Sequence, residues 1–155
     1  MDFDLLTEWR LRAPLDRIWA RLRDVESWPA WWSSVAAVET LAPGDAEGID
    51  AVHRLTWKTA LPYRLAFETR VVRIEPKRRI EAEAVGELTG RGIWTLDPIE
   101  AGVCLRYRWQ VAPHKPWMRR LAPLLRPVFA WNHEVVMERG RIGLEASLHA
   151  ASKPG

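Results

Sequence analysis

Proton transfer, nucleophilic attack or metal binding in this chain would fall to a short set of side chains: four histidines, one cysteine and two tyrosines in 155 residues. The histidines, His53, His114, His133 and His149, are scattered, and none has a second ligand at i+3 or i+4. No metal site is expected from such spacing. The single Cys104 excludes an intramolecular disulfide and any multi-cysteine metal centre. It reads as a small buried or half-buried residue in a reducing compartment. There is no Gly-x-Ser-x-Gly and no Cys–His arrangement to supply a nucleophile. The run from Gly86 to Gly92 lacks the Lys-Ser/Thr of a phosphate cradle, so its glycines read as bends in a strand. What remains is a polar pair, Asn132 and His133, inside an otherwise apolar segment.

That segment, Trp117 to Leu148, reads as one long helix buried on most sides. On a wheel of about 100° per residue, Glu134, Arg141, Glu145 and Glu138 gather on one stripe. Opposite them lie Asn132, Gly143, Val136, Phe129, Gly140 and His133. Glycine inside a helix costs about 1 kcal/mol against alanine, so Gly140 and Gly143 are expected to let a strand or a ligand approach closely. Arg139 either reaches solvent at the edge of this face or meets a carboxylate, a ligand's included. Pro116 would open the helical region. Pro123 and Pro127 predict a lead-in turn and a kink, with regular helix from about Val128.

The elements facing that helix follow from alternation. Asp4 to Arg12 puts Leu5, Thr7, Trp9 and Leu11 on one face of a first strand, and a short helix follows from Leu15 to Leu22. Trp28, Trp31 and Trp32 with Pro29 make a compact bend whose indoles plug one end of the core. Six strands are then predicted, at 35–42, 51–59, 64–75, 79–85, 90–97 and 103–112. They are separated by Pro43-Gly44-Asp45, Leu61-Pro62-Tyr63, Pro76-Lys77, Gly86-Glu87 and Pro98 through Gly102. Tight links of this kind make an antiparallel meander. Parity turns Leu55 and Trp57, then Leu65, Phe67, Thr69 and Val71, inward, with a bulge before Val72 and Ile74. Trp94, Leu96, Tyr107, Trp109 and Val111 also face in, and Arg106, Arg108 and Gln110 face out.

One strand, two small helices, six antiparallel strands and a long C-terminal helix is the order of a helix-grip α+β fold. The chain resembles the START-related lipid-binding (SRPBCC) superfamily, in its polyketide cyclase/dehydrase-like branch, over about residues 3 to 148. The resemblance rests on Ala13-Pro14 with Ile18-Trp19, Asp24 with Trp28-Pro29 and Trp31-Trp32, and Leu61-Pro62-Tyr63. It rests also on Gly86-Glu87-Leu88 with Gly90, Gly92 and Trp94, and on Trp131-Asn132-His133 with Met137 and Gly140. It implies a deep cavity between a curved seven-stranded sheet and the helix, open near the small helices and the connecting loops. It carries over no universal catalytic motif, because cyclases, hydrolase-like enzymes, lipid carriers and binding proteins share this scaffold.

Composition bounds the reading further. A chain of this length makes one domain, 1–148, with 149–155 expected as a disordered tail. Net charge is +3, from 23 basic and 20 acidic residues that interleave, so no nucleic-acid partner is expected. The N-terminus is acidic and no apolar run approaches the ~20 residues of a membrane span, so a cytoplasmic protein without membrane insertion is expected. Ten tryptophans imply an aromatic-lined interior. The expected site comprises Trp57, Phe67, Thr69, Trp94, Tyr107, Trp109, Asn132, His133 and Val136. Its partner would be a lipid, polyketide or other hydrophobic small molecule, with no cofactor, in a monomer or homodimer. Two alternatives stay open: a binding module, or an aromatase/cyclase- or dehydratase-type enzyme using His133 or Tyr107 as acid or base. Asn132 and His133 either contact ligand or satisfy loop backbone groups.

Overall fold

The inward parity of alternate residues is what closes this chain on itself. In a computed structural model, which describes residues 3–62 and 64–152, the elements run β1 (Phe3–Leu11), α1 (Leu15–Arg23), a 3-10 turn (Val25–Ser27), α2 (Trp28–Trp31), β2 (Val35–Ala42) and β3 (Val52–Lys58). They continue with β4 (Arg64–Glu75), β5 (Arg79–Gly86), β6 (Leu88–Ile99), β7 (Gly102–Pro113) and α3 (Pro116–Ser152). The strands form one seven-stranded antiparallel sheet in the order β1-β7-β6-β5-β4-β3-β2, and α3 packs on β1, β7, α1 and α2. Tyr63, the end of the Leu61-Pro62-Tyr63 turn, lies outside the described residues.

Register brings the inward residues into rows. Leu5 pairs with Trp109, Thr7 with Tyr107, Trp94 with Tyr107, and Leu55 with Phe67. The predicted bulge is present, since the β4–β5 register shifts between Val71 and Arg73. On the outer face Arg54 bridges Glu39 at 3.3 Å and Glu68 at 2.9 Å, and Arg70 meets Glu83 at 3.2 Å. The interleaved charges are thus neighbouring strands pairing across the sheet's exposed side.

In α1, Ile18, Trp19 and Leu22 are buried, Asp16 sits in the first turn, and Arg21 and Arg23 sit in the last. Those charges complement the helix dipole. The Trp-rich bend of α2 plugs the core as expected: Trp28, Trp31 and Trp32 are buried, and Trp32 packs against Trp9, Trp28, Trp31, Trp57 and Trp94 at centroid distances of 5.0 to 6.2 Å.

Three expectations are corrected. Helix α3 runs without interruption from Pro116 through Pro123 and Pro127 to Ser152, so no lead-in turn precedes Val128. Both prolines lie on the exposed side, where water can take the carbonyls that the missing N–H groups leave. His149 to Ser152, expected in a tail, continue the helix, and 153–155 lie outside the described residues. Strand β6 extends from Leu88 to Ile99 and includes Pro98, because β5 stops pairing at Arg79↔Thr95 and no neighbour there needs the proline's N–H.

Nor is α3 buried on most sides. Leu124 is 78% exposed, and Trp117, Trp131 and Ile142 are each more than half exposed. The sheet covers only one side of this helix, and the wheel cannot distinguish an apolar face with a partner from one without. Finally, the approach to Gly140 and Gly143 is made by α2, neither strand nor ligand. A Cβ on Gly143 would sit 1.6 Å from the Trp31 carbonyl oxygen, and one on Gly140 would sit 2.5 Å from the Trp32 indole. Trp32 Nε1 then donates to the Val136 carbonyl at 2.9 Å, joining bend and helix.

Candidate ligand-binding site

Between the concave face of the sheet and the first half of α3 lies a cavity of about 140 Å³. Its lining brings together eight of the nine expected residues: Trp57, Phe67, Trp94, Tyr107, Trp109, Asn132, His133 and Val136. Thr69 does not join them. It faces inward on β4 one pair further along the strand than Phe67, and lines an adjoining cavity that shares the rings of Trp28, Trp57, Phe67, Trp94, Tyr107 and Trp109 with the first. Parity assigns a face but not a height along the strand.

The remaining walls come from Phe3, Leu5, Trp28, Trp32, Leu65, Leu88, Met118, Phe129 and Met137, among others. The wheel places Phe129 on the enclosed face, and alternation turns Leu5 and Leu65 inward. Met118 and Leu88 carried no such signal. No Asp, Glu, Lys or Arg contributes to this lining.

The polar pair on α3 splits into two roles. Asn132 is buried, and its Oδ1 accepts the backbone N–H of Ala60 at 2.8 Å, pinning the link between β3 and β4. His133 lies beside Tyr107 with ring planes 14° apart and centroids separated by 6.4 Å. Its Nε2 is buried without a protein partner, as is Trp57 Nε1. Burial lowers the His133 pKa to about 4, so the imidazole is neutral at pH 7. Burial likewise pushes the Tyr107 phenol up. Arg139 reaches neither bulk solvent alone nor a carboxylate: half-buried, it donates to the buried Ser34 Oγ at 3.4 Å.

The chamber's walls therefore hold stacked aromatic rings and two buried nitrogens without a protein partner. Trp57 Nε1 can only donate, whereas neutral His133 can donate or accept at Nε2 according to tautomer. A base with a pKa near 4 and a phenol raised by burial make a poor proton-transfer pair at neutral pH. Among the described residues no group of three His, Cys, Asp or Glu side chains converges as a metal site. No helix there is long and apolar enough to cross a membrane.

The Polyketide cyclase / dehydrase and lipid transport family model matches residues 6–141. No curated protein matches the sequence. Among solved structures, the chain is similar to TTHA0849 from Thermus thermophilus, with TM-score 0.78, 19% identity and coverage of 97% of this chain and 100% of that one. A START superfamily protein from Mycobacterium smegmatis gives TM-score 0.71 at 14% identity, covering 97% of this chain and 98% of the other. The Zhui aromatase/cyclase from a Streptomyces species gives 0.70 at 17% identity, covering 98% of each chain. At these identities the likeness is one of fold.

Proposed function

Since the chain belongs to the polyketide cyclase/dehydrase and lipid transport family, we propose that it binds an uncharged hydrophobic small molecule, an aromatic or polyketide-like one, in the chamber between sheet and α3. One observation carries this reading: the chamber is lined by aromatic and aliphatic side chains without a single formal charge. A charged ligand would lose its hydration there without an ionic partner to replace it. Trp57 Nε1 and His133 Nε2 supply the few polar contacts that orient a ligand in an apolar pocket. A carbonyl or hydroxyl oxygen is the group they would meet.

The reading favours binding over catalysis. His133 has no carboxylate to orient it among the chamber's lining residues, and its depressed pKa leaves it a weak base. The lone buried Cys104 accords with a cytoplasmic protein.

A panel of neutral, anionic and cationic aromatic probes, followed by quenching of the tryptophan emission, tests the proposal. Neutral probes are expected to bind at micromolar concentrations and the charged ones at least about tenfold more weakly, as desolvating an unpaired charge demands. Equal affinity across the three charge classes, or no quenching by any, refutes it.

A further inference from the structure

The first half of α3 is apolar on its outer side as well as its inner one. Trp117, Leu121, Leu124, Val128 and Trp131 follow one another at spacings of four, three, four and three residues. Such spacing sets the five side chains within about 80° of one another, in a stripe about 20 Å long. Each is at least 41% exposed. The inner side of the same turns is a different set of residues, with Ala122 buried and Met118 and Phe129 in the chamber's lining. A contiguous apolar stripe left on the surface marks a place where something docks.

The charges around the stripe identify its partner. Between His114 and His133 the chain carries Lys115, Arg119, Arg120 and Arg126, all exposed, and neither Asp nor Glu. Arg120 falls beside Trp131 on the helix wheel, at the rim of the stripe. The acids of α3 begin only at Glu134, past the last tryptophan, and Glu138 and Glu145 are paired with Arg141. Ile142, also more than half exposed, stands alone in that acidic half. A second copy of the chain seated on the stripe would bring four more cations and, over the same span, no carboxylate to meet them. An anionic lipid surface meets both features at once. Its phosphates attract the cations, its headgroup boundary suits indoles, and its acyl region takes leucine and valine.

We propose that the first half of α3 is a docking surface for an anionic membrane. The helix lies in the plane of the interface, with Leu121, Leu124 and Val128 immersed, Trp117 and Trp131 at the headgroup boundary, and Arg120 on lipid phosphate. It rests on the bilayer and does not cross it, since no helix among the described residues is long and apolar enough to span one. The stripe faces away from the chamber, so docking requires no ligand there and stands independently of the binding proposal.

Co-sedimentation of the whole protein with vesicles tests this, using phosphatidylcholine alone or with about one-third phosphatidylserine. The protein is expected on the anionic vesicles at least about tenfold more strongly than on the neutral ones, because several cations contribute. Salt at about 0.5 M, which shortens the Debye length to roughly 4 Å, should weaken that binding. Arg120→Gln should cost about fivefold, as the loss of one cation near an anionic surface demands. Leu124→Ser should cost about tenfold through lost apolar burial. Ile142→Ser, an exposed apolar side chain away from the cations, should leave binding unchanged. Melting temperatures of the three variants, expected to match the parent, separate lost docking from lost folding. Absence of vesicle binding, equal binding to neutral and anionic vesicles, or full binding by Leu124→Ser each overturns the proposal. A dimer in sedimentation equilibrium that Leu124→Ser dissolves, or an acidic protein held by the stripe while vesicles are not, likewise overturns it in favour of that partner.

Discussion

Replacing Asn132 and His133 in turn by leucine should give opposite results, although the two are neighbours on one face of α3. Asn132→Leu removes the acceptor that takes the Ala60 N–H at 2.8 Å. Leaving a part-buried donor unsatisfied costs about 1–3 kcal/mol. For a domain of this length that lowers the melting temperature by about 3–10 °C. Ligand affinity per folded molecule should stay unchanged, because Oδ1 is already committed to the loop. His133→Leu removes a buried Nε2 that has no protein partner. Stability should hold or rise, since a desolvated and unused polar atom is replaced by apolar volume. A neutral probe that hydrogen-bonds to that nitrogen should then bind more weakly by about 1–2 kcal/mol, or roughly 5- to 30-fold. Thermal unfolding by circular dichroism and fluorescence titration of both variants read the two quantities separately. A destabilised His133→Leu with intact affinity, or a fully stable Asn132→Leu with lost affinity, would refute the division of roles.

Three further outcomes follow from the same structure. The pKa of His133 drops to about 4 from 6.5, so the unfolded chain binds this proton between pH 6.5 and 4 and the native chain does not. Its contribution to stability is therefore complete above pH 6.5 and falls as the pH is lowered to 4, by up to about 3 kcal/mol. His133→Leu should flatten that part of the melting-temperature profile, and an unchanged slope would show the ring to be less buried than described. Gly143→Ala gains about 1 kcal/mol of helix propensity but sets a Cβ 1.6 Å from the Trp31 carbonyl oxygen. That overlap with backbone should win by about 2 kcal/mol or more, and a higher melting temperature would contradict the close packing of α2 on α3. Leu124→Lys, at a side chain 78% exposed, should change stability by less than about 0.5 kcal/mol, whereas a large loss would mean that this face is covered.

The sheet was legible in the sequence because strands speak in period two. Leu5, Thr7, Trp9 and Leu11 alternate with charges, and Pro43-Gly44-Asp45 and Pro76-Lys77 punctuate the meander, so β2 and β4 were delimited to the residue. Eight of the nine residues expected to face a ligand do line the cavity, since inward parity and one helix face define a cavity wall without knowledge of its depth. What parity lacks is height along the strand. Thr69 and Phe67 share a face, yet only Phe67 reaches the first cavity, and the packing of rings from β3, β4, β6 and β7 decides which inward side chains do. The division between Asn132 and His133 was likewise invisible, because the Ala60 N–H that engages Asn132 is 72 residues away in the chain. The same holds for Gly140 and Gly143. A glycine's cost in a helix signals that something comes close, and the partner, a tryptophan bend more than a hundred residues earlier, is named only once the chain has folded. Local pattern determines which face of an element is apolar; which apolar face is covered, and by what, is decided by contacts distant in sequence, as the exposed side of α3 illustrates.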